Sequence, residues 1–476
     1  MADNSTRCSW LYHPEFPEHW TRQPLYPLAS WVNGLAFRNI QFSADGMPVI
    51  KIAEIKGGIT GQTKFTQQVF DESVRVKHGD MLFSWSGQPE TSIDVFWWYG
   101  PEGWLNQHVF RVTPAACVDR AFFYYLLRYL KPNFVGIASN KQTTGLGHVT
   151  KRDLENIEVA YPGIREQQAI ACILGTLDDK IELNRRMNQT LEEMARAIFK
   201  SWFVDFDPVH AKAAVRREHP SWTNEQVSRA ACPNLKPEIS ALFPDSFEDS
   251  ELGKIPKGWE VTTLGDFVEF VKGRSYRSDE LSSSDTALVT LKSFVRGGGY
   301  RIDGLKPFTG AYIPKQVVEP GEVVLACTDV TQAGEVIGRT AIVRGSRTYS
   351  CLVASLDVLI IRPRPPLTRS FVYELGRSAD FVDHTYAHTI GTTVLHLSTD
   401  AVAAFPFAMP PSALIDRYDQ IAVPIIQRSE AIGGDSEMLA AIRDALLPKL
   451  ISNELRIPDA ESFIARAQAA AMEATS

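Results

Sequence analysis

Internal repetition constrains this chain more than any local feature, because two copies of one fold must each close a core of their own. Pro17-Glu18-His19-Trp20 returns 239 residues later as Pro256-Lys257-Gly258-Trp259. At the same offset Leu25, Val32 and Gly34 meet Leu264, Val271 and Gly273, and Ile50 and Ile52 meet Val289 and Leu291. The last two pairs sit in alternating apolar stretches that predict strands. Gly79-Asp80-Met81-Leu82 matches Gly321-Glu322-Val323-Val324 at 242, and 109–114 matches 358–363 at 249. Phe122, Tyr124 and Leu126 meet Phe371, Tyr373 and Leu375 at 249, and Thr144, His148, Val149, Thr150 and Pro162 face Thr392, His396, Leu397, Ser398 and Pro410 at 248. Such drift is what short loop insertions produce, so the 476 residues divide into two copies of roughly 239 rather than three unrelated domains. Two diverged copies in one polypeptide imply pseudo-twofold symmetry, which suits a partner with a twofold axis.

Each copy opens with short apolar stretches broken by Gly and Pro, plus helical pieces such as 119–130, and predicts a mixed α+β domain. Each then changes to a long helical pattern. In the first copy Ile170, Leu174, Leu177, Ile181, Asn184, Asn188, Leu191, Ala195, Ile198 and Trp202 alternate spacings of four and three, which predicts a coiled-coil seam. The second repeats it at an offset of 251 with Ile421, Ile425, Arg428, Ile432, Asp435, Leu439, Ile442 and Leu446. Pro424 and Gly433-Gly434 weaken this helix and leave its continuity open. Asn184 and Asn188 are either a tolerated polar seam near solvent or a device fixing register and partner; with Arg428 and Asp435 opposite in the pattern, we read the second. The expected architecture is therefore α+β, with two homologous domains joined by two long helices that pair as an antiparallel coiled coil. Its segments are a first domain 1–164, a helix 165–204, a linker 205–255, a second domain 256–411, a helix 412–451 and a tail 452–476. A helix over 165–203 would span about 58 Å at ~1.5 Å per residue, enough to serve as a ruler between sites one DNA turn apart, about 34–36 Å.

Self-contained chemistry is missing. No G-x-x-x-x-G-K-[ST] occurs, Gly61-Gln62-Thr63-Lys64 lacking the Gly-Lys pair, and Gly145-Leu146-Gly147 is not a dinucleotide or S-adenosylmethionine loop. The tetrapeptide with which an adenine methylase grips its base is absent, since Asp207-Pro208-Val209 is not one. His384 and His388 have zinc-pair spacing, but Thr385 follows where a metalloprotease carries Glu. Asp178-Asp179-Lys180 lies on the helical stretch as surface charge, and the six cysteines form no short-spaced pair. No catalytic, cofactor-binding or metal-binding residue is assigned. With no apolar run near the ~20 residues of a membrane helix, we expect a soluble, cytoplasmic protein without membrane contact.

The stretch Arg165-Glu166-Gln167-Gln168, then 177–185 (LDDKIELNR), 191–195 (LEEMA) and 199–206 (FKSWFVDF), resembles the central conserved region of type I restriction–modification specificity subunits. The run 241–247 (ALFPDSF), Leu252-Gly253 and Pro256-Lys257-Gly258-Trp259 resembles that family's entry into a second target recognition domain. The resemblance implies a non-catalytic address reader. Each recognition domain would read one half of a bipartite, asymmetric site in double-stranded DNA. The helices would set the spacer and dock two adenine-N6 methyltransferase subunits carrying S-adenosylmethionine, and restriction subunits, the motor–nuclease, would bring ATP and magnesium. A coiled-coil protein scaffold that never touches DNA is the alternative, and a single-chain modifying enzyme is a third.

The net charge of −7 opposes DNA binding as a total, but its distribution does not. Residues 1–164 carry 15 basic and 15 acidic side chains and 255–411 carry 16 of each. The acid excess lies in 204–254, with 6 against 9, and in 412–476, with 6 against 10. Base reading needs forked donors or amides, while positioning on phosphates needs Lys, Arg and backbone N–H groups. In copy one the candidates are Lys51, Lys56, Lys64 and the loop Lys141-Gln142-Thr143-Thr144. In copy two they are Arg274-Ser275-Tyr276-Arg277, after Gly273, with Lys292 and Arg296, and Arg301 lies in the same basic cluster. Trp97-Trp98-Tyr99 either stacks on a base or fills the core; we read core. The predicted partner-facing helix positions are Leu174, Leu177, Ile181, Asn184, Asn188, Leu191, Ile198, Trp202, Ile432, Leu439, Ile442 and Leu446.

Overall fold

A computed structural model describes residues 16–466 apart from 39–40, 143–144, 330–333, 393, 461 and 465. The chain forms two compact units, one of Met1–Arg185 with Gly434–Ser476 and one of Arg186–Gly433, so the division runs inside both long helices.

In the first unit the strands Ala29–Asn33, Val109–Pro114, Met81–Ser84 and Asp94–Trp97 form an antiparallel sheet in that spatial order. Side chains alternate faces along a strand, and here both faces are covered. Met81, Phe83, Val95 and Val112 pack with Phe122, Phe123 and Leu126, while Leu82 and Val109 pack with Ile50, Trp98 and Trp104. Burial on both sides explains why Met81–Ser84 is an unbroken apolar run up to its last residue. The helix Arg120–Tyr129 starts where Asp119 accepts hydrogen bonds from the amides of Ala121 and Phe122, at 3.0 and 2.9 Å.

The second unit repeats this plan. Val268–Lys272, Val358–Pro363, Val323–Ala326 and Thr340–Ile342 form its antiparallel sheet in the same relative order. Val323 and Leu325 face one core, and Val324 and Ala326 face another. Strand starts keep the sequence offsets: 29 and 268 differ by 239, 81 and 323 by 242, 109 and 358 by 249. The edge pair Thr21–Pro24 with Glu158–Tyr161 recurs as Glu260–Thr263 with Pro406–Met409.

One strand expectation is corrected in the same way in both copies. Ile50 and Val289 end strands, but Ile52 opens the helix Ile52–Gly57 and Leu291 opens the 3-10 turn Leu291–Ser293. Residues 205–255 are folded rather than extended, with helices Asp207–Glu218, Asn224–Ala231 and Pro237–Ser240 followed by the hairpin Phe247–Ser250 and Gly253–Pro256. Thr223 and Gln226 form a capping box for the second of these helices. The buried ammonium of Lys212 donates to the carbonyls of Ser240 and Phe243, at 3.0 and 2.5 Å, and fastens the first helix to the third.

The two long helices, Ile164–Phe203 and Ser412–Ile451, have 40 residues each. In the first unit Ile170, Leu174 and Leu177 share a core with Leu439, Ile442 and Leu446. In the second unit Phe199, Trp202 and Phe203 share one with Leu414, Ile415, Tyr418 and Ala422. The early half of one helix thus packs with the late half of the other, and the reverse, which is antiparallel pairing. The second helix runs unbroken through Pro424 and Gly433-Gly434. Pro424 is exposed, so water can reach the carbonyl that its missing N–H leaves free. A Cβ on Gly433 would lie 2.8 Å from an Arg344 guanidinium nitrogen, so the small residue makes room for that side chain.

Burial corrects the helix register. Gln167, Ile170 and Leu174 in the first helix and Ile415, Tyr418 and Ala422 in the second are all buried, an offset of 248 and not 251. Arg428 and Asp435, placed in the seam by the sequence offset, are exposed. A slip of three residues is nearly one helical turn, which keeps the same face and so preserves most of the apolar matches.

Candidate nucleic-acid interface

The cations singled out in copy one are exposed or half-buried in the first unit, Lys56 on the helix Ile52–Gly57, and most are already engaged. The Lys51 ammonium sits 5.1 Å from the centre of the Phe42 ring, and its backbone amide donates to Glu54 at 3.1 Å. Lys56 donates to the Thr91 carbonyl, and burial lowers its pKa against the pull of Asp94. Lys64 is exposed beside the strand Phe65–Thr66. Lys141 is held by Asp153, with 2.6 Å to Oδ2, and the same carboxylate also caps the start of Lys151–Asn156 with Thr150. Lys141 and burial act oppositely on Asp153, whose pKa ends below the usual carboxylate range. Gln142 is exposed, and Thr143 and Thr144 lie outside the described residues.

In copy two the run after Gly273 divides. A Cβ on Gly273 would fall 2.0 Å from the Ser355 carbonyl oxygen, and one on Gly34 would fall 2.3 Å from that of Asn106, so both copies need glycine at this close approach. Arg274 follows in a bridge to Ser355, is partly buried, and pairs with Glu280 at 3.1 Å. The ion pair and the bridge hold Arg274 against its own fold. Tyr276 is covered by the Lys306 ammonium at 5.5 Å, Arg277 pairs with Asp279 at 3.1 Å on an exposed turn, and Ser275 is exposed.

Lys292 and Arg296 are brought together in a cleft of about 720 Å³, with Arg301, Asp303, Thr328, Asp329 and Glu335 also on its walls. Arg296 reaches Glu335 at 3.3 Å, and Arg301 holds Asp303. Opposite charge places Arg301 above and Asp303 below their ordinary pKa values. The acidic members Asp303, Asp329 and Glu335 were missed in the sequence. Asp303 was within reach, two residues beyond Arg301, but Asp329 and Glu335 are distant from the basic cluster in sequence and carry no local signal.

The remaining motifs are structural. Trp98 is buried and donates from its indole to the Pro101 carbonyl at 2.8 Å, and Trp97 is half-buried and stacks on Tyr124 at 5.1 Å, but Tyr99 is 64% exposed, which corrects the expectation that all three fill the core. His384 and His388 bond to the carbonyls of Ala401 and His384, and no group of three or more His, Cys, Asp or Glu that could hold a metal occurs among the described residues. Asp178 accepts from Tyr125 at 2.7 Å and from Arg443 at 2.6 Å. The helix positions Leu174, Leu177, Asn184, Trp202, Ile432, Leu439, Ile442 and Leu446 are buried, and Ile181, Asn188, Leu191 and Ile198 are half-buried. No helix among the described residues is long and apolar enough to cross a membrane.

The type I restriction modification DNA specificity domain matches residues 17–193. The chain is 25% identical over 419 residues to the type I restriction enzyme HindI specificity subunit of Haemophilus influenzae, covering 80% of this chain and 87% of that one. It is 35% identical over 272 residues to a putative type I restriction enzyme MjaX specificity subunit of Methanocaldococcus jannaschii, covering 55% and 56%. A crystal structure of a type I restriction-modification system S subunit from M. genitalium aligns at 15% identity with a TM-score of 0.48, over 92% of this chain and 97% of that one.

Proposed function

We infer that this chain, which belongs to the type I restriction–modification specificity subunits, reads a bipartite DNA site for an assembly whose chemistry resides in other subunits. The observation that carries this reading is the element-by-element duplication of one sheet plan, since two related domains in one chain suit the two unlike halves of an asymmetric site. The cleft around Lys292, Arg296 and Arg301 supplies donors of the kind that bases and phosphates require. Two 40-residue helices supply elements long enough for setting the spacer and for docking two adenine-N6 methyltransferase subunits. S-adenosylmethionine belongs to those subunits, and ATP and magnesium to the restriction subunits, within the cytoplasm. A scaffold that never touches DNA gains no support from a chain matched by a DNA specificity domain.

The test is single-molecule mapping of N6-methyladenine in cells that express this chain with its methyltransferase partner. The expected result is a motif in two parts separated by a fixed spacer. Methylation by this chain alone, or none that depends on it, would refute the assignment. Deleting one heptad from 177–198 and its counterpart at the 248 register should shorten the spacer and leave both half-sites intact. Binding of the reconstituted complex to duplex DNA should weaken as salt rises, because phosphate contacts release counterions.

A further inference from the structure

Arg301 differs from every other cation on the wall of its cleft in how it is held. Its Nε donates to Asp303 Oδ1 at 3.0 Å and its Nη2 to Asp303 Oδ2 at 2.5 Å, two bonds to one carboxylate. Arg296 has a single ion pair, to Glu335 at 3.3 Å. Two parallel bonds fix the plane of a guanidinium, whereas one leaves it free to rotate. Because Asp303 occupies the Nε–Nη2 edge, the Nη1–Nη2 edge stays available as a fork of N–H donors.

The backbone under Arg301 is fixed as well. Gly297, Gly298 and Gly299 turn the chain at φ of 85°, 110° and 104°, Phe294 bridges back to Tyr300, and the Arg301 amide donates to the Ser293 carbonyl at 2.8 Å. Tyr300 is buried, while the Arg301 side chain is 51% exposed on the cleft. An anchored backbone, an oriented guanidinium and an open donor edge together make a reader of base edges rather than a loose phosphate contact. The acceptor pair that a forked arginine edge matches in the major groove is O6 and N7 of guanine.

We propose that Arg301 is a specificity-determining residue that reads a guanine in one half of the DNA site, with Asp303 as the positioning residue that orients it. This rests on the reading of the chain as a DNA specificity subunit. The Asp303 carboxylate also guards selectivity: it neutralises Arg301 until a partner of the right geometry takes the free edge, which disfavours indiscriminate phosphate binding.

The experiment maps methylated motifs, and measures binding to duplexes with single base changes, for the full complex carrying wild-type chain, Arg301→Ala, Arg301→Lys or Asp303→Asn. Arg301→Ala should relax one G·C position in one half-site, with discrimination there falling by about tenfold or more and the other half-site unchanged. Arg301→Lys should fail to restore it, because an ammonium presents no fork. Asp303→Asn should relax the same position in part and raise binding to unrelated duplex DNA. A uniform loss of affinity on all sequences in Arg301→Ala would make this a phosphate contact and overturn the proposal. So would an unchanged motif, or a half-site without a G·C pair that responds to neither variant. A wild-type complex with no sequence preference would instead overturn the specificity-subunit reading itself.

Discussion

Replacing Tyr418 with alanine tests whether the second unit is held by packing on the long helices or by polar links. Tyr418 is fully buried, with its ring 5.5 Å from those of Phe199 and Phe203 and 6.4 Å from that of Trp202. A buried aromatic side chain removes about 150–250 Å² from water, worth about 4–6 kcal/mol at ~25 cal/mol per Å². Truncations of buried Phe and Trp to alanine cost about 3–5 kcal/mol, so about 4 kcal/mol is expected for Tyr418→Ala. The hydroxyl matters far less: it donates to the Ala195 carbonyl at 3.5 Å, the outer limit of a hydrogen bond. Tyr418→Phe should therefore cost under about 1 kcal/mol. Native-state hydrogen exchange measures both variants locally. Amides of the central strand Val323–Ala326 should lose up to about a thousandfold protection in Tyr418→Ala, while those of Met81–Ser84, in the first unit, keep theirs. Loss below about tenfold in Tyr418→Ala, or equal losses in the two variants, would refute the packing argument.

Three further outcomes follow from single positions. Asn184 is buried in the first unit and its amide nitrogen has no partner, so Asn184→Leu should raise the urea midpoint by the equivalent of about 1–2 kcal/mol; a fall would show that the polar layer is satisfied in the folded chain. Gly273→Ala drives a Cβ to 2.0 Å from a backbone oxygen and should cost at least about 1–3 kcal/mol, whereas Gly297→Ala, where no atom lies within 4 Å, should cost only the strain of its φ of 85°. Burial, with Glu192 acting the same way against Arg377 and Arg196, pushes the Glu374 carboxyl up to about 7. The folded state then binds this proton more tightly than the unfolded chain, so the stabilisation is complete below the ordinary carboxylate range and is lost as pH rises through about 7. Glu374→Gln should flatten that part of the pH profile, and an unchanged slope between pH 5 and 8 would refute the assignment.

The repeat was legible because strands carry their pairing partners with them. Met81–Ser84 and Val323–Ala326 occupy the same place in equivalent sheets, and the apolar matches at 242 could arise only if both copies bury that strand on both faces. Helix register was not legible to the same precision. A seam of alternating threes and fours looks much the same one turn along, and only the burial of Tyr418 and Ala422 against the exposure of Arg428 and Asp435 selects 248. The folded segment 205–255 escaped for a related reason, since Thr223 with Gln226 and the proline at the start of Pro237–Ser240 are local caps without a long apolar pattern between them.

The charge count shows the same boundary between what is local and what is not. Equal numbers of acids and bases in 255–411 foretell neutrality, but not that the neutrality is built pair by pair at the surface that should meet DNA. Asp279 and Asp303 stand two residues after their arginines and are visible in the sequence, while Glu335 reaches Arg296 only through the fold. An unpaired basic surface would hold any duplex through its phosphates. A cation already paired with a carboxylate gains less from phosphate alone, so what Arg274, Arg277, Arg296 and Arg301 can add comes from donor edges that the carboxylates leave open. On the proposal that Arg301 reads a guanine, sequence selection rests on the geometry of its pair with Asp303, and the acidic partner is as much a part of reading as the base.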